Sequence, residues 1–435
     1  MNRLLCFFTC IIFSTAVFSQ NLYVDSASTC TLSCTGSSWN TAMDKLQDAL
    51  GFASAGDTIF VAKGTYYADE GVGYINNNRL HYFEIPDSVV LYGGYPNGGG
   101  TRDWIQYPTI LSGDINQDGY LYGNTAHVIY TEYVSDKLIV DGFTITMGYA
   151  YGSSNPDRMG AGWCNIGSGN GNVSSPQVRN CIFFNNRADG GGAIYDDATS
   201  YGASSMTIEN CKFIDNHGDD WGGAIYFNAH YHGQSSPYIK NCYFVNSYSG
   251  GAGGAVYVGN GSSSVAAPIF DSCVFDSSYS YNNGGAIYFS SITGTSNPTF
   301  RNCTFNQNET DLNRGGAINL NSYLGQGRAT IENCRFTGNT ASTYGGGISF
   351  NGYQGNFGAD VINCVFDQNY ASFQGSACFN SSCQVSYVNC TFSGNDGDIA
   401  LYANSSNLNI TNCIVWSNLA GEIGSDTNST IFISN

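Results

Sequence analysis

Two motifs recur along this chain at a spacing of about 31 residues, and their recurrence restricts the fold more than any other feature. A Gly-Gly-Ala-Ile type motif begins at Gly191, Gly222, Gly253, Gly284 and Gly315, each 31 residues after the last. It continues as Gly-Gly-Gly-Ile from Gly345 and in decayed form from Gly375, and Gly160 sits one period earlier. The second motif, Asn-Cys-x-Phe-x-x-Asn, places cysteines at Cys181, Cys211, Cys242, Cys273, Cys303, Cys334, Cys364, Cys390 and Cys413. A period in this range belongs to a solenoid or an array. No single repeat can bury its own apolar face, so neighbouring repeats must bury it for one another.

Stacking the repeats lines their residues up in files. One file holds the cysteines, and another holds Phe183, Phe213, Phe244, Phe275, Phe305, Phe336, Phe366 and Phe392. A third holds Asn186, Asn216, Asn308, Asn339, Asn369, Asn395 and Asn418, with Ser247 and Ser278 replacing Asn in two repeats. Asn tolerates left-handed backbone at bends, and stacked amides can hydrogen-bond along the axis. Ahead of the repeats, Trp39, Ala42, Met43, Leu46, Ala49, Leu50 and Ala53 fall on one apolar stripe. This spacing predicts an amphipathic helix over 38–56 that caps the first rung and covers its strand edges.

The chain divides on this reading into four stretches. Residues 1–20 read as a secretory signal peptide, with Arg3 ahead of an apolar run from Leu4 to Val17. Residues 21–57 form an N-terminal segment with the capping helix, 58–150 are early coils of irregular spacing, and 151–435 are the regular repeats. The apolar run is shorter than the roughly 20 residues that a membrane span needs. Thr430 to Ile433 read as a strand with no cap after it, so continuation into further coils and a C-terminal sorting or anchoring region is expected.

A formal charge of −18 argues against nucleic acid, whose phosphates need clustered Lys and Arg. Sixteen cysteines in an exported chain would ordinarily mean a disulfide framework. The ladder argues otherwise. In-register neighbours about 4.8 Å apart point their Cβ atoms the same way, which gives poor disulfide geometry. Stacked free thiols packed as small hydrophobes are expected. Cys30 with Cys34, and Cys378 with Cys383, are the candidate bridges, and Cys164 has no evident partner.

The Gly-Gly-Ala-Ile and Phe-x-x-Asn pair is similar to the repeat of chlamydial polymorphic outer-membrane proteins, a group of adhesins. The stretch Gly56-Asp57-Thr58-Ile59-Phe60-Val61-Ala62-Lys63-Gly64-Thr65-Tyr66 resembles the first coil of many secreted bacterial right-handed parallel β-helix proteins. The resemblance implies an all-β, right-handed parallel β-helix on a cell surface, secreted, or at the outer membrane of a Gram-negative-type bacterium. It also implies a glycan or host-surface ligand. Because β-helices host lyases, hydrolases and adhesins alike, the architecture does not choose among them.

Three constellations could carry function. The period stacks Arg158, Asp189 and Asp220 in one file, with His217, Asp219 and Arg187 nearby. This is either a carboxylate pair for glycoside hydrolysis, a calcium site for a lyase, or a solvated turn. Asp114, Asn116 and Asp118 match the first half of a calcium loop, with Tyr122 and Thr125 where the second half should be, so Ca2+ and a plain Asx turn compete. Tyr195, Tyr226, Tyr257 and Tyr288 follow the glycine corner in consecutive repeats, and Tyr248, Tyr279 and Tyr281 lie nearby. Pointing outward, the four would make an aromatic strip for sugar rings; otherwise they stiffen a face of the solenoid. The leading expectation is a non-catalytic adhesin or glycan-binding protein, and the alternative is a polysaccharide lyase or glycoside hydrolase.

Overall fold

The computed structural model describes residues 19–30 and 34–435, and the predicted signal peptide, apart from Ser19 and Gln20, lies outside the described residues. The strands assemble into four sheets of 19, 12, 12 and 8 strands, and every strand pairing is parallel. The molecule is a right-handed parallel β-helix. One coil shows how the sequence builds it. Gln177–Arg179 lies in the 19-stranded first wall and Ile182–Phe184 in the second wall. Arg187–Gly190 forms a short corner sheet, Ile194–Asp197 lies in the third wall, and Ala203–Ser204 returns to the first.

Left-handed residues turn the coil at its bends, including Ser200 and Tyr201 on the way back to the first wall. Asn180 (φ 53°) bends it before the cysteine, Asn185 (φ 52°) bends it before the file asparagine, and Gly191 (φ 61°) bends it at the glycine corner. A Cβ on Gly191 would lie 2.1 Å from the carbonyl oxygen of Ile194, so both conformation and space demand glycine there. The expectation that the Asn186 file supplies left-handed bends is corrected: the residue before it does so, and the file asparagines are buried. Their amides form the predicted ladder. Asn308 donates to Asn339 (2.9 Å), Asn339 to Asn369 (2.9 Å), Asn369 to Asn395 (3.0 Å) and Asn395 to Asn418 (2.8 Å). Each amide therefore satisfies backbone groups of a bend that has no strand partner for them.

Inside the walls, the Phe183 to Phe392 file stacks with centroids 4.6 to 5.0 Å apart and planes within 7°. Each buried ring contributes about 2 kcal/mol through area alone. The ladder cysteines are free, and all are buried except the half-buried Cys413. Their thiols hydrogen-bond carbonyls instead, as Cys211 does to Glu209 (3.2 Å). Cys30 and Cys34 are joined in a disulfide, with Cα atoms 5.7 Å apart. The proposed Cys378–Cys383 bridge is not formed. Cys378 fills the third-wall core in register with Ile348 and Leu401, whereas Cys383 packs beside Ser406 in the turn that follows.

The capping helix exists but is shorter than predicted. A 3-10 turn covers Trp39–Thr41, and an α-helix covers only Leu46–Phe52. Between them Met43 pairs with the free edge of Asn21–Val24, donating its N–H to Tyr23 (3.0 Å) and accepting from Asp25 (2.8 Å). The unpaired strand edge captures the backbone that local periodicity assigned to helix. The helix still closes the end of the core, burying Leu46, Ala49 and Leu50, and Gln47 donates to the carbonyl of Tyr82 (2.9 Å). Between Thr58 and Ala150 the first wall gains only Thr58–Ala62, Val90–Tyr95 and Ile139–Asp141, separated by long loops. Farther along, the strands follow the repeat.

Candidate functional site

The corner sheet gathers the charged residues that the period placed in one file. Arg158 and Asp189 pair through the backbone (2.9 Å) and again as an ion pair. One coil later the register slips, so that Ala188 faces Gly218 while Gly190 faces Trp221. This β-bulge sets both Asp219 and Asp220 opposite Asp189, delivering two carboxylates where one is expected. Asp220 reaches Arg158 at 3.5 Å. Asp219 accepts from Arg187 Nη2 (2.7 Å) and Nε (3.1 Å) and lies 2.9 Å from His217 Nε2.

The two better-protected carboxylates diverge in acidity. Burial raises Asp189, and the neighbouring Arg158 only partly reverses this. Burial also acts on Asp219, but hydrogen bonds from His217 and Arg187 and their charges outweigh it and lower its pKa. Neighbouring groups pushed apart in this way can divide acid and base roles. Arg158 lies between Asp189 and Asp220 and offsets part of their repulsion.

An aromatic strip runs on from this cluster. Residues in register along the corner sheet are Tyr149, Arg187, His217, Tyr248, Tyr279 and Glu309. His217 stacks on Tyr248 at 4.4 Å and Tyr248 on Tyr279 at 5.4 Å with planes 13° apart. Tyr248 is 37% exposed. Burial and Asp311 push the Tyr279 hydroxyl up to about 12, so the ring stays neutral. The His217 and Tyr248 planes are 29° apart. Stacked face against face, the three rings turn their edges and polar tips to solvent, with Arg187 and Asp219 beside them.

The tyrosines singled out by sequence do not form that face. Tyr195 and Tyr226 are buried, and Tyr257 and Tyr288 are half-buried. Consecutive rings meet at 50° to 84°, not face to face. They do point away from the core, but the corner folds back over them: Met159, Cys164 and Ile166 join Tyr195 and Tyr226 in a satellite apolar cluster against Trp221. The Tyr195 hydroxyl accepts from Asn228 (2.8 Å). Exposed sugar stacking is closed to this file. The useful signal lay one motif earlier, where Arg187, His217, Tyr248 and Tyr279 each directly follow the Asn or Ser of the amide ladder.

The calcium-loop candidates are consumed locally. Asp114 accepts from the N–H groups of Asp118 (3.2 Å) and Gly119 (3.1 Å), and Asp118 accepts from the N–H of Tyr120 (2.8 Å) and from Asn116 Nδ2 (2.9 Å). These hydrogen bonds are those of an Asx turn. Among the described residues no cluster of His, Cys, Asp and Glu has a metal-holding arrangement.

The sequence places Asp196 across the glycine corner from the charged file, but its burial was not read. Asp196 points into the solenoid, in register with Asn165 and Phe227. Its Oδ1 accepts from Asn165 Nδ2 (2.7 Å) and Ser204 Oγ (2.5 Å), while its Oδ2 has no partner. Burial pushes this carboxyl up to about 7. The signal was available: Asp196 occupies the position held by Phe227, Val258 and Phe289 in later coils.

This architecture agrees with two family matches. Residues 230–415 match the right handed beta helix region, and residues 180–197 and 210–228 match the Chlamydia polymorphic membrane protein repeat. Together they point to an exported surface protein of bacterial type. No curated protein and no solved structure gives a significant match. No helix among the described residues is long and apolar enough to cross a membrane.

Proposed function

We propose that this protein is a non-catalytic surface β-helix that binds glycans through the ring strip His217, Tyr248 and Tyr279. The observation that carries the reading is the solvent-facing stack of these rings on the corner sheet. The exposed ring edges offer an apolar ridge to sugar C–H groups and the tyrosine hydroxyls hydrogen-bond sugar hydroxyls, while Arg187 and Asp219 beside them offer charged hydrogen bonds. The ligand class is a cell-surface or environmental polysaccharide, consistent with an exported location. Binding to a polysaccharide panel should weaken at least about ten-fold in Tyr248→Ala and in Tyr279→Ala, the size expected for losing one stacked ring. Glycan binding that is indifferent to both substitutions would overturn the assignment.

The opposite acidity shifts of Asp189 and Asp219 favour a second reading, a polysaccharide lyase or glycoside hydrolase. It requires that cleavage of some glycan in the same panel be lost in Asp189→Asn.

A further inference from the structure

A second surface, on the first wall of the C-terminal coils, has the makings of a binding groove. Earlier coils break the first wall at a proline, as at Pro268 and Pro298, whereas Gln326–Glu332 and Asn356–Ile362 run through as seven-residue strands. The straight strands carry a groove of about 430 Å3 that continues, through shared Arg328 and Gln384, into another of about 370 Å3. Registers Thr295, Gln326, Asn356 and Arg328, Gly358, Gln384, Asn407, Thr430 cross it coil by coil.

Gly358 makes the floor. A Cβ there would stand 2.6 Å from Arg328 Nη1, so the missing side chain lets the guanidinium lie across the sheet. Arg328 spends Nε and Nη2 on Asp360, and Nη2 also approaches the carbonyl of Ala359 (3.3 Å). Nη1 makes no hydrogen bond within the described residues and lies over Gly358, and Arg328 lines both parts of the groove. Around it, the amides of Asn356, Gln384, Asn407 and Asn409 have no side-chain hydrogen-bond partner among the described residues. This contrasts with the exposed asparagines at the coil bends, which bond one another, as Asn412 does to Asn389 (2.7 Å) and Asn389 to Asn363 (3.1 Å). The groove amides are unspent.

From this arrangement we propose that the groove binds an uncharged polysaccharide chain laid along the solenoid axis, at a site separate from the ring strip. Amides both donate and accept, which matches paired sugar hydroxyls. The one cation is neutralised by Asp360, and a chain of net charge −18 disfavours anionic polymers. Coils rise about 4.8 Å, close to the length of one pyranose unit, so successive coils can address successive rings. Phe432, 63% exposed at the far end, offers a stacking surface.

Isothermal titration of the full protein with cello-, manno-, xylo- and β-1,3-gluco-hexasaccharides, and with hexagalacturonate as the anionic control, tests this. At least one neutral hexasaccharide should bind and hexagalacturonate should not. Arg328→Ala/Gln384→Ala, and separately the surface variant Asn407→Ala, should weaken that binding about ten-fold or more, while Tyr248→Ala leaves it unchanged. Three results overturn the groove: no neutral hexasaccharide binds, hexagalacturonate binds better, or affinity ignores the groove variants. Loss confined to Tyr248→Ala would assign the binding to the ring strip and also refute the groove.

Discussion

Replacing Asp196 with Asn should make this protein more stable at alkaline pH and leave it nearly unchanged at acid pH. The side chain is fully buried, has two hydrogen-bond donors on Oδ1 and none on Oδ2, and has its pKa raised from 3.8 to about 7. The folded state therefore holds this proton more tightly than the unfolded chain. Below about pH 3 both states are protonated and burial of the charge costs nothing. As pH rises from about 4 to about 7, stability falls, and above pH 7 the whole penalty stands. At 1.36 kcal/mol for each unit, a rise of about three units is worth about 4 kcal/mol. An Asn side chain keeps the carbonyl acceptor for Asn165 and Ser204 and never ionises, so the variant escapes the penalty. Solenoids need not unfold in one step, so the measurement should be local. Hydrogen exchange of the strands at 163–166, 194–197 and 225–229 should slow in the variant at pH 8 and match wild type near pH 3, after correction for intrinsic rates. The strands at 348–351 and 401–404 serve as internal controls. An equal loss of protection at both pH values would show that the carboxylate is ionised and partnered in the folded state, and would refute the argument.

Alkylation of the native protein should modify the half-buried Cys413 first and leave Cys181 to Cys390 of the ladder protected until denaturant is added, as peptide mapping would show. Cys273→Asp should cost more than about 3 kcal/mol in denaturant titration, because it leaves an unpaired charge in a closed stack. Asn339→Ala should cost about 2 to 3 kcal/mol, since it strands the backbone N–H and side-chain amide of Asn308 and removes the donor to the carbonyl of Phe305. Asn339→Ser should cost less, because Ser247 and Ser278 already hold that position in two coils. If the corner cluster is structural, Asp189→Asn/Asp220→Asn should leave the melting temperature within a few degrees of wild type, the pair being partly exposed and worth about 1 kcal/mol or less.

Much of the fold was legible because a solenoid writes its core into the sequence once per coil. The Phe183 and Cys181 files could be read by counting, and the structure stacks them in register. What counting cannot supply is which backbone edges remain hungry. The helix over 38–56 had a sound apolar stripe, yet the edge of Asn21–Val24 captured Met43 and broke it. Alternation likewise assigned Tyr195 to the outer side of its strand, which is correct, but outer is not exposed where a corner sheet folds back and brings Trp221 over it. The charged file Arg158, Asp189 and Asp220 was found because it obeys the period. Asp219, Arg187 and His217 were placed nearby, but the bulge breaks the period, so the ion pairs that join them were not read.

The division between constant and changing files also says where recognition belongs. The inner files repeat one residue type for many coils because each ring or amide must match its neighbours above and below. They stabilise any coil equally and distinguish none. The outward file of the corner sheet instead runs Tyr149, Arg187, His217, Tyr248, Tyr279, Glu309, Thr340 and Tyr370. The outward rows of the first wall change equally freely, from Thr295 through Gln326 to Asn356. Packing imposes no identity at such positions, so a composition that departs from random there needs another cause. Aromatic rings gathered in one short run and unspent amides in another are two such departures. Exchanging Tyr248 and Tyr279 for the Thr found at position 340 should then abolish glycan binding at the ring strip without altering exchange protection of the Phe244 and Phe275 coils. A coupled loss of binding and protection would mean that the rings are part of the scaffold after all.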